Sequence, residues 1–296
     1  MPIGTTLSVP RPVPVSPNSV FNAGALINAF APRGRVHCTG GLDYGPGQRH
    51  RLDIYSPSPH PNGALRMAPV VVFFYGGGWE EGDRDFYRFV GAALAERGIV
   101  TVVPDYRLFP EIRFPGFLED AAQAVGWVQA EIGDFGGDPG RVFLMGHSAG
   151  AYIAAMLALD ATWLSGARAA SLRPAPKLRG VIGLAGPYDF LPLHTEVLRA
   201  IFGPPETLWQ TQPIEFVSPA APPMFLAHGA RDRIVLPRNS TRLSARLRAA
   251  GCIAETRLYP VIGHKLLIAG MARPLRFVAP VLHDSLDFIR RMDRSA

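Results

Sequence analysis

"RVFLMGHSAGAYIAAMLALD", residues 141 to 160, runs from a short apolar stretch through a glycine and a serine into a stretch rich in small residues. The first part reads as a strand and the last as a small-residue helix. At their junction Gly146, Ser148 and Gly150 form the pattern G-x-S-x-G. In a strand-to-helix context this pattern makes a sharp, strained turn that lifts the serine hydroxyl above the edge of a sheet. The helix start beside it favours negative charge. A side chain at Gly146 or Gly150 would collide with the crossing backbone. Serine is also a common helix cap, so the pentapeptide alone is weak. Its flanks make Ser148 a candidate nucleophile.

Outward from this junction the same grammar repeats. "PVVVFFY" is a continuous apolar run, as expected of a strand covered on both faces. Helical "FYRFVGAALAERG", the strand "IVTVVPDY" and the helix "GFLEDAAQAVGWVQAEIG" lead into the junction. Beyond it come the strands "LRGVIGLAG", "MFLAHG" and "AETRLY", and the helices "RNSTRLSARLRAAG" and "VLHDSLDFIRRM". Strands alternating with helices imply an α/β fold with a mostly parallel central sheet and helices on both faces. The spacing predicts an N-terminal arm over residues 1–34, one α/β domain over 35–296, and a short cap-like insertion at about 186–218.

With 296 residues and 48% hydrophobic content the chain can bury a large core. Its net charge of +6 is spread along the chain, which suits solubility and leaves no nucleic-acid footprint. Cys38 and Cys252 lie far apart and outside any metal-ligand spacing, so neither a disulfide framework nor a metal site is expected. No stretch reaches the ~18 apolar residues that span a bilayer. The Pro-rich "SVPRPVPVSPNS" reads as extended, and "VFNAGALINAFA" as a short docking helix or a degenerate secretion signal. A cytoplasmic location is the expectation.

A serine hydroxyl needs a neighbouring base, and in this chain order the base follows an acid. His264, in "YPVIGHKLL" just past a strand, is the best placed. His228 at a strand end, His147 beside Ser148 and His283 within a helix are the competitors. The orienting acid is best placed at Asp232 in "HGARDRIV", with Asp189 in "GPYD" as its rival. Attack by Ser148 would create an oxyanion, which needs backbone N–H donors within ~3 Å. The glycine run in "FFYGGGWEEG", Phe73 to Gly82, answers that need: Gly77 and Gly78 supply donors, and Ala149 a third. Trp79, Tyr188, Phe190 and Trp209, with Phe202 and Phe216, are candidates to line a substrate pocket, or equally plain core.

Taken together, "YGGGW", "DYRLFPE", "EDAAQAVGWV", "FGGDPGRVFLMGHSAGA", "AGPYD", "SPAAPPMFLAHGARDRIV" and "IGH" make the chain resemble hormone-sensitive-lipase-like, feruloyl-esterase-related carboxylesterases of the α/β-hydrolase fold. The resemblance runs from about residue 35 to 290. It implies hydrolysis of a small-molecule ester by Ser148, His264 and Asp232, with no cofactor. It also implies that "DYRL" and Glu111 are scaffold around the glycine loop. The family usually carries His before the glycines, where this chain has Tyr75. A supporting role is expected there, worth one hydroxyl-to-backbone bond of ~1 kcal/mol. An amide hydrolase of arylformamidase type shares the same motifs. A binding module on the hydrolase fold is the third reading, although such proteins typically lose a triad member and this chain keeps all three.

Overall fold

The protein, described by a computed structural model, is placed at residues 28, 36–58, 67–165 and 176–295. The expected N-terminal arm lies outside the described residues except for Asn28. That side chain donates to the Asp85 carbonyl (2.6 Å) and accepts from the Phe89 N–H (3.1 Å).

Among the described residues eight strands form one sheet: β1 (Val36–Asp43), β2 (Arg51–Pro57), β3 (Ala68–Phe74), β4 (Val100–Pro104), β5 (Gly137–His147), β6 (Gly180–Leu184), β7 (Met224–Gly229) and β8 (Ala254–Tyr259). Their spatial order is β1-β2-β4-β3-β5-β6-β7-β8. β2 runs antiparallel to β1 and β4, and every pairing from β4 through β3 to β8 is parallel. The sheet is therefore mostly parallel, as the alternating pattern predicts.

β1 escapes the sequence pattern because it is an edge strand that is largely exposed. Its ladder also shifts register between Thr39 and Leu42, where Gly40 and Gly41 interrupt it. By contrast β4 and β6 are buried along their whole length, so their sequences are almost wholly apolar, with Thr101 the polar exception in β4.

The helices are α1 (Arg88–Ala95), α2 (Gly116–Glu131), α3 (Ala149–Leu159), α4 (Glu196–Phe202), α5 (Arg238–Ala249), α6 (His264–Ala269) and α7 (Val281–Arg294). Helix α3 is buried at every position but Ala158, which explains why its sequence shows no polar face. The region 186–218 contains α4 and two short 3-10 turns, Pro205–Thr211 and Pro213–Phe216.

Register places the functional loops. Phe74 pairs with Gly146, and Gly146 with Gly183, so the chain leaving β3 and the chain leaving β5 emerge side by side. Gly229 pairs with Tyr259, which sets the loops after β7 and β8 next to each other on the same edge. Ligand sites in such sheets gather at the carboxyl ends of the strands.

Candidate active site

Ser148 sits between β5 and α3 with φ 55° and ψ −122°, a left-handed conformation for a residue that bears a Cβ. Such a backbone costs on the order of 1–3 kcal/mol and persists only where its surroundings enforce it. Here they do. A Cβ on Gly146 would lie 2.1 Å from the Gly150 carbonyl oxygen, and one on Gly150 would lie 2.0 Å from that of Phe74. Both glycines are thus fixed by close backbone crossing, as the sequence implies. The Ser148 N–H donates to the Leu184 carbonyl at 2.8 Å, tying the turn to β6.

His264 opens α6, one residue past Gly263, instead of standing in a free loop. Its Nε2 lies 2.8 Å from Ser148 Oγ, and its Nδ1 lies 2.7 Å from Asp232 Oδ2. Asp232 is buried in the turn after β7, where its Oδ1 accepts from the N–H groups of Ile234 (2.9 Å) and Val235 (3.0 Å). Burial alone would raise its pKa. Hydrogen bonds from His228 and His264 and the backbone donor at Val235 outweigh burial and hold the carboxyl well below the usual carboxylate range. The rival acid is elsewhere: Asp189 pairs with Arg242 Nη1 at 2.7 Å.

The three competing histidines have other tasks. His283 is exposed and pairs with Asp287. His228 is fully buried, and its Nε2 lies 2.9 Å from the Val235 carbonyl and 3.2 Å from Asp232 Oδ2. A carbonyl can only accept, so Nε2 carries a proton, while Nδ1 lies 2.7 Å from Ser240 Oγ. Asp232 thereby receives a second imidazole donor. His147 Nε2 lies 3.2 Å from the backbone carbonyl of His264, so it too is the protonated nitrogen. Burial, and then the neighbouring His264, push the His147 pKa down to about 3.

The glycine loop follows β3. A Cβ on Gly76 would meet the Ser148 Cβ at 2.9 Å, so the loop passes against the serine. Gly77 has φ 137°, and a Cβ there would lie 1.9 Å from the Glu81 carbonyl oxygen; Gly78 has φ 64°. Among the described residues the N–H groups of Gly77, Gly78 and Ala149 donate to no backbone or side-chain acceptor.

Tyr75, where the family pattern is broken, holds this loop from below. Its hydroxyl donates to Asp105 Oδ1 and accepts from Arg49 Nη2, both at 2.8 Å. The same Arg49 nitrogen donates to the Gly82 carbonyl at 2.7 Å, and the Tyr106 hydroxyl donates to the Tyr75 carbonyl at 2.8 Å. Arg84 bonds Asp105 and Asp53. Burial pushes the Tyr75 phenol well above its ordinary pKa, so it stays protonated. Arg49 has no local sequence signal, since it reaches Tyr75 from the turn before β2.

The aromatic candidates divide. Trp79 stacks among Phe117, Tyr152, Phe190 and Phe202 with centroid distances of 4.8 to 6.3 Å. It is 4% exposed, and Phe190 is half-buried at the same cluster. Tyr188 is 0% exposed, with its hydroxyl packed against Gly183, so it is core and not an accessible pocket wall. Its aromatic character misled because a ring after a strand serves either role. Trp209 is 54% exposed on a 3-10 turn. Beside the Asp232–His264 pair the loops expose Ile234, Leu236 and Val261, and α6 exposes Leu266.

The sequence matches the BD-FAE family over residues 52–247. The chain belongs to that family. This BD-FAE member is 32% identical over 265 residues to the probable isoprenylcysteine alpha-carbonyl methylesterase ICMEL1 of Oryza sativa subsp. japonica, covering 81% of this chain and 61% of that protein. It is 33% identical over 273 residues to Esterase LipQ of Mycobacterium tuberculosis, covering 86% of this chain and 63% of that protein. The chain thus spans about three fifths of these relatives' length. A solved structure of Esterase B from Lactobacillus rhamnosis, inhibited by a tributyrin phosphonate, superposes with a TM-score of 0.79 at 19% identity, covering 94% of this chain and 93% of the other. At that identity the likeness concerns the fold, an α/β-hydrolase. Among the described residues no helix is long and apolar enough to cross a membrane.

Proposed function

We propose that this BD-FAE member is a serine carboxylesterase that hydrolyses small carboxylic esters through an acyl-enzyme intermediate. The observation that carries the proposal is the unbroken hydrogen-bonded line from Ser148 Oγ through His264 to Asp232, at 2.8 and 2.7 Å. His264 Nε2 takes the Ser148 proton as Oγ bonds to the ester carbonyl carbon. The resulting oxyanion is received by the N–H groups of Gly77, Gly78 and Ala149. Asp232, kept ionised by its donors, holds the imidazole tautomer and stabilises the imidazolium. Collapse of the intermediate breaks the ester C–O bond, and Nε2–H protonates the departing alkoxide. Water then attacks the Ser148 ester, with His264 again taking and returning the proton, to release the acid and free serine. The relatives' esterase names support an ester over an amide substrate. The half-buried Phe190 and the exposed apolar residues by the site suit an ester with an apolar acyl or alcohol part.

Ser148→Ala is expected to lower kcat toward p-nitrophenyl acetate by at least ~10³ with the fold intact. Near-normal turnover in the folded variant would remove the nucleophile assignment. Parallel assay of N-formylkynurenine separates the ester reading from the arylformamidase reading. A p-nitrophenyl chain-length series then defines acyl preference.

A further inference from the structure

Away from Ser148, a cleft of about 250 Å³ lies between the end of α1 and the start of α7. Its walls carry the guanidinium groups of Arg97, Arg276 and Arg290 and the imidazole of His283, with Leu282 and Leu286 as apolar lining. An adjoining hollow of about 210 Å³ shares Arg97 and Arg276 and adds Arg273 and Glu96. The charges here do not cancel. Four guanidinium groups face two carboxylates. Glu96 pairs with Arg273 and stands 3.5 Å from Arg276 Nη2, while Asp287 pairs with His283 (3.0 Å) and Arg290 (3.4 Å). Arg97 has no ion pair among the described residues.

Arg276 is the key group. Its Nε donates to the Met271 carbonyl at 3.2 Å, which fixes the guanidinium, and its buried Nη2 has only the long 3.5 Å ion pair to Glu96 opposite it. Burial, with Arg97 and Arg273 close by, outweighs the attraction of Glu96 and depresses its pKa. A buried donor held by one long ion pair is poorly satisfied, and a fixed guanidinium fork matches phosphate geometry. The start of α7, at Pro280 and Leu282 on the wall, adds the positive end of a 14-residue helix dipole.

We propose that this cleft binds a phosphoryl group, seated against Arg276 and Arg97, at a site separate from the Ser148 centre. Gly270, which lines the cleft, directly follows α6, the helix that His264 opens. An occupied cleft would brace the far end of that helix.

The test uses the full chain, with inorganic phosphate and pyrophosphate as probes at ionic strength fixed with sodium chloride. Calorimetric titration should show one saturable site, and thermal unfolding a Tm rise that saturates at the same concentrations. Arg276→Gln should abolish both. Arg97→Gln, an exposed position without an ion pair, should weaken binding about tenfold or more while leaving p-nitrophenyl acetate hydrolysis unchanged. Co-sedimentation with phosphatidic acid vesicles, against phosphatidylcholine vesicles, separates the sources. Sedimentation lost in Arg97→Gln assigns a lipid headgroup, and soluble-anion binding without sedimentation assigns a free phosphate compound. Absence of saturable binding to every probe, or affinity unchanged in a folded Arg97→Gln protein, overturns the proposal.

Discussion

Replacing Tyr75 by Phe removes a single oxygen, yet the structure makes that oxygen the meeting point of two charged side chains. The sequence expectation was a hydroxyl bonded to backbone. Instead it donates to the Asp105 carboxylate and accepts from the Arg49 guanidinium, each at 2.8 Å, in a fully buried position. Hydrogen bonds to charged groups contribute about 1.5–3 kcal/mol each. Asp105 keeps the Arg84 backbone N–H and guanidinium, and Arg49 keeps the carbonyls of Gly82 and Tyr106, so neither charge is orphaned. A net loss of roughly 2–4 kcal/mol follows, which in a domain of this size corresponds to a Tm drop of roughly 5–10 °C. Activity should suffer less. The loop is still held by Arg49 to Gly82, by the Tyr106 hydroxyl to the Tyr75 carbonyl, and by the Phe109 N–H to the Trp79 carbonyl. The expected fall in kcat is under about tenfold, whereas misplacing one oxyanion donor costs about 10²-fold or more. Calorimetric Tm and kcat with p-nitrophenyl acetate decide it. A hundredfold loss of kcat at unchanged Tm would refute the reasoning, because it would mean that the hydroxyl aims the glycine donors instead of supporting them.

Three further perturbations probe the site. Asp232→Asn should lower kcat by up to ~10⁴, and Asp189→Asn should be nearly silent, since only Asp232 reaches His264; the opposite ranking by steady-state kinetics would move the orienting role. Gly77→Ala should lower kcat by ~10² or more, because its Cβ would sit 1.9 Å from the Glu81 carbonyl oxygen and the loop must shift; retained kcat in a folded variant would dismiss Gly77 as a donor. His147, with a folded pKa of about 3 against ~6.5 when unfolded, contributes stability that is present above pH ~6.5 and lost as pH falls toward 3. His147→Gln, which keeps a donor for the His264 carbonyl, should therefore flatten stability between those pH values, and denaturant melts showing the same slope as the parent chain would contradict the assignment.

Much of the fold is legible because the parallel strands are covered on both faces and helices alternate with them along the chain. β1 is not, since an exposed edge strand broken by Gly40 and Gly41 carries neither apolar run nor clean alternation. At the site, chain order and loop position single out Ser148, Asp232 and His264, because each must leave the carboxyl edge of a strand. The supports are less visible. Arg49 meets Tyr75 across 26 residues and His228 meets Ser240 across 12, distances at which only the folded register makes a pair. Pocket aromatics are least legible: Trp79, Tyr188 and Trp209 are chemically alike as candidates, and only packing separates a clustered ring, a buried one and an exposed one.

Three imidazoles gather along the line from Ser148 to Asp232, and the proposed chemistry needs the proton to have one destination. His228 cannot serve, because one nitrogen donates toward Val235 and Asp232 and the other is filled by Ser240. His147 is adjacent in sequence, but its protonated nitrogen is committed to the His264 carbonyl, and its bare nitrogen lies against Gly76 in a setting that disfavours the charged ring. Only His264 presents an unprotonated nitrogen to Ser148 while a carboxylate waits behind its other nitrogen. The two idle histidines are therefore part of the arrangement. One adds a donor that keeps Asp232 ionised, and the other fixes the backbone of His264 while its depressed pKa keeps it from adding a second positive charge when the imidazolium forms.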